Sequence, residues 1–312
     1  MPELPEVETI RRALEAVRGE RILSVDVRSP AMIRGMDPDE FRLAVEGERI
    51  EEVSRRGKYL LFGLGSASTL VCHLMMAGRL LLQAPGAGYP PHTHVVLALS
   101  GGEELVYQDL RHFGGFRLIP PGGRLPPGLA AMGPEPFDPS LTPVRFFRML
   151  HSRRGKVKGI LLDQRFVAGL GNIYVDESLF AARIHPETPT DRIGREDAER
   201  LLSSIRSVLQ RAISHRGTTF GTYRDVNGRP GENAPALSVF RREGKPCPRC
   251  ETPIVKLRVV GRGTHICPTC QPKPRRRRTS RRPSSSLTDP KTRPKRISSA
   301  CGRTARSRAR ST

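Results

Sequence analysis

The chain has 312 residues, with 53 Lys plus Arg against 31 Asp plus Glu and a formal net charge of +22. That length suggests about two domains, because single cores stop growing near ~250–300 residues. No apolar run reaches the ~18 residues of a membrane helix, the acidic start Met1-Pro-Glu-Leu-Pro-Glu-Val-Glu8 lacks the apolar stretch of a secretory signal, and six cysteines are too few for a disulfide scaffold.

The charge is unevenly spread. Residues 271–312 hold 15 Lys/Arg and one Asp, or +14, so the first 270 carry 38 Lys/Arg against 30 acids, or +8. A polyanionic partner such as nucleic acid is the leading expectation.

In chain order, Val7, Ile10, Leu14 and Val17 share one face of a helix predicted over 3–17, with Pro5 tolerated in its first turn and Gly19 after its end. Strand patterns follow: Leu23, Val25 and Val27 alternate with polar neighbours, then come 59–64, 70–82, 94–99, 104–108 and 116–119. Short strands with Gly/Pro breaks suggest an antiparallel sandwich or barrel. The Pro/Gly-rich stretch 120–139 reads as a linker. Thr142-Pro143 then opens a helix as N-cap and first-turn proline. Further helices are expected at 156–164, 172–183 and 195–215, the last with Leu201, Leu202, Ile205, Val208 and Leu209 on one stripe. Residues 216–241 form a long loop of the size that is usually functional or disordered. Beyond Cys270, Arg, Pro and Ser dominate and disorder is expected.

Cys247-Pro-Arg-Cys250 and Cys267-Pro-Thr-Cys270 are separated by sixteen residues, enough for a β-hairpin that returns the second pair to the first. Four thiolates closing a tetrahedron leave no open position, which points to one structural zinc ion. A pair of disulfides or a redox C-x-x-C are the alternatives for this spacing. Cys72 reads as a buried small hydrophobe. Between the knuckles, a basic tip containing Lys256, Arg262 and His265 suits phosphate contact, or is merely solvated.

Removal of Met1 would leave Pro2 as a secondary amine, less basic than lysine and so more nucleophilic near neutral pH. Its attack on a sugar carbon gives a cationic iminium, an electron sink for elimination, with Glu3 beside it as proton donor or acceptor. Alternatively, Pro2 simply begins a helix.

The segments Pro2-Glu-Leu-Pro-Glu-Val-Glu8, Arg56-Gly-Lys58-Tyr-Leu, His73-Leu-Met-Met76-Ala-Gly78, Asp109-Leu-Arg111-His-Phe113-Gly114, Gly169-Leu-Gly-Asn172-Ile-Tyr174 and the four-cysteine unit occur in order. Together they resemble the bacterial formamidopyrimidine-DNA glycosylase family over residues 2 to about 271. The resemblance implies an α+β multidomain fold: an N-terminal catalytic β-sandwich with flanking helices over 1–130, a helical helix–two-turn–helix DNA-binding domain over 131–241 with a lesion loop near 217–235, a zinc hairpin over 242–271, and a disordered basic tail over 272–312.

By that resemblance, Pro2 attacks C1′ of a damaged nucleotide, Glu3 protonates the sugar or leaving group, Glu6 supports the site, Lys58 moves protons during β-elimination, and Arg262 engages phosphate for δ-elimination. Met76, Arg111 and Phe113 fill the hole left by a flipped nucleotide. His92, Arg111, Arg153, Lys158 and Asn172 contact DNA, Arg153 standing where the family has a lysine. The implied enzyme is a monomeric cytoplasmic glycosylase and abasic-site lyase of base excision repair. It excises oxidised purines from double-stranded DNA without a redox cofactor or catalytic metal, and its tail adds nonspecific contacts. A sister enzyme of the endonuclease VIII type for oxidised pyrimidines, and a non-catalytic zinc-containing DNA-binding relative, are the alternatives.

Overall fold

The structure, a computed structural model, describes residues 2–274. The expected disordered tail lies, beyond Pro274, outside the described residues.

The chain opens with α1 (Leu4–Ala13), extended by a 3-10 turn at Leu14–Val17, and the predicted face of Val7, Ile10, Leu14 and Val17 is buried. It continues through β1 (Ile22–Val27), α2 (Pro38–Val45), β2 (Ile50–Arg56), β3 (Tyr59–Leu64), β4 (Thr69–His73), β5 (Gly78–Gln83), β6 (Thr93–Leu99), β7 (Glu104–Asp109) and β8 (Gly115–Ile119). These strands form two four-stranded antiparallel sheets, ordered β1-β6-β7-β5 and β2-β3-β4-β8. One apolar core joins Leu60, Phe62, Leu97, Tyr107 and Phe116 of both sheets to Val7, Ile10 and Leu14 of α1. The expected sandwich is present.

Two local expectations need correction, and two elements had no expectation. The single strand expected over 70–82 is two strands in different sheets, because the chain turns at Leu74, whose carbonyl accepts from Gly78 N at 2.8 Å. Leu23 was expected on the inner face but is 61% exposed, since a register shift between Ile22 and Ser24 turns it outward. Helix α2 and strand β2 lacked a legible period. The helix buries only Phe41 and Val45, and a register shift between Ile50 and Glu52 breaks the alternation of the strand.

After α3 (Pro127–Ala130), a helical unit is built from α4 (Pro143–His151), α5 (Val157–Leu162), α6 (Asn172–Ala181) and α7 (Arg195–Ser214). Thr142 caps α4 by accepting from Arg145 N at 3.2 Å, as its sequence predicts. Helix α6 is buried continuously from Tyr174 to Phe180 and runs through the middle of the unit, and the predicted stripe of α7 packs into the same core. Leu4 belongs to this second core rather than the first, so the start of α1 bridges the sandwich and the helices.

The final hairpin pairs β9 (Val255–Val259) with β10 (Arg262–Ile266). It is fastened to α5 and α6 by a fully buried ion pair. Lys158 Nζ lies 2.5 Å from Asp176 Oδ1 and donates to Thr264 Oγ1 at 2.8 Å and to Gly263 O at 3.2 Å, while His265 N donates to Asp176 Oδ2 at 3.0 Å. Removing one partner of such a pair leaves a buried uncompensated charge, at a cost of about 3–5 kcal/mol. Asp176→Ala should therefore lower unfolding stability by that order in urea titrations, whereas an exposed control such as Asp39→Ala should change it by less than about 0.5 kcal/mol.

Candidate active site

Glu3 and Glu6, at the start of α1, are both buried, and each carboxylate ties down a segment far away in sequence. Glu3 accepts from the backbone N–H groups of Ile173 at 3.0 Å and Tyr174 at 3.4 Å, the free donors at the start of α6. That helix has glycine, Gly171, at its own cap position, so the missing cap is supplied by Glu3. Glu6 accepts from Glu3 N at 2.8 Å, from Thr218 N at 2.7 Å and from the Tyr174 hydroxyl. The sequence suggested a tight turn for Gly169-Leu-Gly171, and the structure adds close approach. A Cβ on Gly171 would lie 2.2 Å from Glu3 Cδ, and one on Gly169, at φ +86°, would lie 2.5 Å from Leu4 Cδ1.

Burial pushes the Glu3 carboxyl up to about 7, against the opposing pull of Lys58. Glu6 is also raised by burial. Burial lowers the Lys58 ammonium, and the nearby carboxylates of Glu3 and Glu6 pull it back up. Lys58 Nζ donates to Leu170 O at 2.9 Å, so the lysine reaches the same turn as Glu3. Pro2 is buried immediately before Glu3. Arg262, exposed at the start of β10, is close enough to depress the Lys58 pKa. The sequence-predicted residues Glu3, Lys58 and Arg262 thus converge, and they set a carboxyl of raised pKa beside a desolvated amine.

Two supports were missed by sequence reasoning. Glu135, inside the expected linker, accepts from Gly57 N at 2.6 Å, Arg56 at 2.9 Å and Arg55 at 2.8 Å, and so fixes the turn that presents Lys58. Nothing local in the Pro-rich sequence marks it. His73 ends β4 opposite Tyr59, their ring centroids 4.1 Å apart, and burial together with Lys58 lowers it to about 4, leaving a neutral imidazole beside the site. Its register position, across the sheet from Lys58-Tyr59, was the available signal.

Met76 and Phe113 are 42% and 49% exposed on neighbouring loops. Arg111 joins them, its Nη1 lying 3.4 Å from Met76 Sδ and its Cζ 4.8 Å from the Phe113 ring centre. Asp109, fully buried, organises this loop by accepting from the backbone N–H groups of Arg111 (3.0 Å), Phe113 (3.0 Å) and Gly114 (2.8 Å). The expected wedge residues are therefore together and solvent-facing.

Among the expected DNA contacts, Asn172 begins α6 and donates to Gly263 O at 2.9 Å, next to Arg262. Exposed His92 precedes β6, and Arg153 lies at the surface 3.5 Å from Asp163. Lys158 is placed differently from the others. Its ammonium is fully buried in the pair with Asp176 and bonded to the hairpin at Gly263 and Thr264.

Cys247, Cys250, Cys267 and Cys270 hold their sulfurs within 4.8 Å of one another, as free thiols. The separations of 3.4 Å for Cys250–Cys267 and 3.9 Å for Cys247–Cys270 exceed a disulfide bond of ~2.05 Å. They match the ~3.8 Å edge of a tetrahedron with zinc–sulfur bonds of ~2.3 Å.

The formamidopyrimidine-DNA glycosylase N-terminal domain matches residues 1–116, the formamidopyrimidine-DNA glycosylase H2TH domain matches 132–224, and the zinc finger found in FPG and IleRS matches 244–273. A formamidopyrimidine-DNA glycosylase of Symbiobacterium thermophilum is 50% identical over 294 residues, covering 91% of this chain and 96% of the relative. One from Latilactobacillus sakei is 42% identical, covering 87% and 98%. A glycine-to-proline variant of Lactococcus lactis FPG, in complex with DNA containing Fapy-dG, has a similar structure, with TM-score 0.82, 39% identity and coverage of 87% and 100%. So does the MutM (FPG) protein of Thermus thermophilus, with TM-score 0.78, 42% identity and coverage of 86% and 98%.

A carboxyl raised by burial binds a proton on folding, so its contribution to stability falls as pH rises from about 4.5 to about 7 and is flat above. Glu3→Gln should remove that slope, read from urea melts across pH.

Proposed function

The chain belongs to the formamidopyrimidine-DNA glycosylase family, and we propose from that membership and the chemistry of the site how its residues divide the work. It is a DNA glycosylase of base excision repair with the family's abasic-site lyase activity, it acts on damaged DNA, and it carries a structural zinc finger.

In this reading, Pro2 attacks C1′ of the damaged nucleotide. The bond to the base breaks with its electron pair on the leaving base, which ends up with the proton the Pro2 nitrogen loses, and Glu3 delivers a proton to the sugar ring oxygen as the ring opens to an iminium. Loss of a C2′ proton then expels the 3′ phosphate, and a second elimination expels the 5′ phosphate, leaving a one-nucleotide gap. Lys58 moves protons in these steps, and Arg262 with Asn172 holds phosphate. The observation that carries this assignment is the Glu3 carboxyl, raised to about 7 next to Pro2 and facing Lys58. A general acid works best when its pKa lies near the working pH. The zinc, when bound, supplies no chemistry and only ties the knuckles that carry the hairpin.

The same reading makes Met76, Arg111 and Phe113 the residues that occupy the vacated stack, His92 and Arg153 further DNA contacts, and the 217–235 loop the cover of an everted oxidised purine. It divides the chain near residues 130, 241 and 271 and treats the enzyme as a monomer. No helix among the described residues is long and apolar enough to cross a membrane, and we place the protein with the DNA in the bacterial cytoplasm.

Borohydride should trap a covalent adduct between Met1-processed protein and abasic-site DNA, and Pro2→Gly should reduce trapping at least 100-fold, read on denaturing gels. An untrappable wild type would refute the amine mechanism. Lys58→Ala should reduce oxidised-base removal more than abasic-site cleavage. Stripping zinc with a chelator should weaken binding to lesion duplex at least tenfold, measured by titration, and adding zinc back should restore it.

A further inference from the structure

The 217–235 loop is anchored at both sides of a short tip. Thr218 N donates to Glu6, and Tyr223 and Val226 are buried in the sandwich core. Between those anchors, Thr219-Phe220-Gly221-Thr222 offers one large apolar side chain. Phe220 is 38% exposed and packs away from the sandwich. Its ring centre lies 5.7 Å from that of Phe240, and the Arg241 guanidinium sits 4.4 Å over its face.

The surface it grips is rigid. Glu177 accepts from Ser238 N at 2.8 Å and from Val239 N and Phe240 N at 2.9 Å. On its other side the Phe240 ring meets the His265 ring edge-on at 5.1 Å, and His265 N is bonded to Asp176. Adjacent carboxylates of α6, Asp176 and Glu177, therefore fix both the segment leading to the zinc knuckles and the hairpin behind it.

We propose that Phe220, held between the Phe240 ring and the Arg241 guanidinium, is a positioning residue for base excision that fixes the loop tip against the zinc-finger linker before an everted base arrives. The proposal rests on the reading that this loop covers the base. A tip already ordered in the free protein loses less freedom when it closes, which strengthens the closed complex without a new contact to DNA. An abasic nucleotide presents no base to cover, so its cleavage does not draw on this device.

The test compares single-turnover excision of 8-oxoguanine opposite cytosine with strand cleavage of a preformed abasic-site duplex, using the full chain. Phe220→Ala should slow excision about tenfold, the scale expected for losing one aromatic and one cation–π contact, and leave abasic cleavage within about twofold. Phe220→Tyr, which keeps the ring, should restore excision, and Arg241→Ala should give about a threefold loss. The chain contains no tryptophan, so Phe220→Trp would also give a single fluorescent reporter at the tip, whose emission in the free protein should already be that of a packed ring. Equal losses on both substrates, or unchanged excision by Phe220→Ala, would overturn the proposal. A wild type that cleaves abasic DNA but excises no oxidised base would instead remove the loop reading on which it rests.

Discussion

Two buried carboxylates, six residues into the chain, hold the active region together. Glu3 serves as the missing cap of α6, and Glu6 gathers Tyr174, Thr218 and the backbone of Glu3 around itself. Through these bonds the start of α1 becomes common property of the sandwich, the helical unit and the long loop. Desolvation is the cost of the arrangement and also its chemical use: the burial needed for the structural bonds is what moves Glu3 to about 7.

A related device recurs at four other places. A buried or half-buried carboxylate accepts backbone N–H groups in each case: Asp109 takes three in the wedge loop and Glu177 three in the linker, while Glu135 takes one at the Lys58 turn and Asp176 one in the hairpin, each alongside cationic side chains. A charged acceptor makes stronger bonds than a neutral one, and several donors share a single desolvation cost. The exposed side chains, among them Met76, Arg111, Phe113 and Arg262, are thus carried on backbones that are already fixed.

Much of this was legible in sequence because it depends on local pattern. The Thr142 cap, the stripe on α7 and the paired C-x-x-C knuckles all lie within short windows, and the structure bears them out. What was not legible depends on partners distant in sequence. The burial of Lys158 follows from Asp176 and Thr264, 18 and 106 residues away, and no feature near Lys158 announces it. Glu135 acts on residues nearly 80 positions earlier. Leu23 and the split of 70–82 were misread because a bulge and a four-residue turn leave composition unchanged while reversing which way side chains point. At the site, the resemblance pointed to residue types in the sequence, but the mutual tuning of Glu3 and Lys58 exists only after folding.

The knitting of residues 3–6 to residues 169–174 and 218 also has a consequence in time. During synthesis the earliest segment emerges with no partner for its carboxylates, and more than 160 further residues must be made before its first long-range bonds can form. A nascent or prematurely ended chain that stops short of α6 has Glu3 in water, where its carboxyl is an ordinary surface acid. The raised carboxyl of Glu3 therefore exists only once α6 and the segment around Thr218 have been made. In the proposed mechanism, an incomplete copy of the chain lacks its general acid.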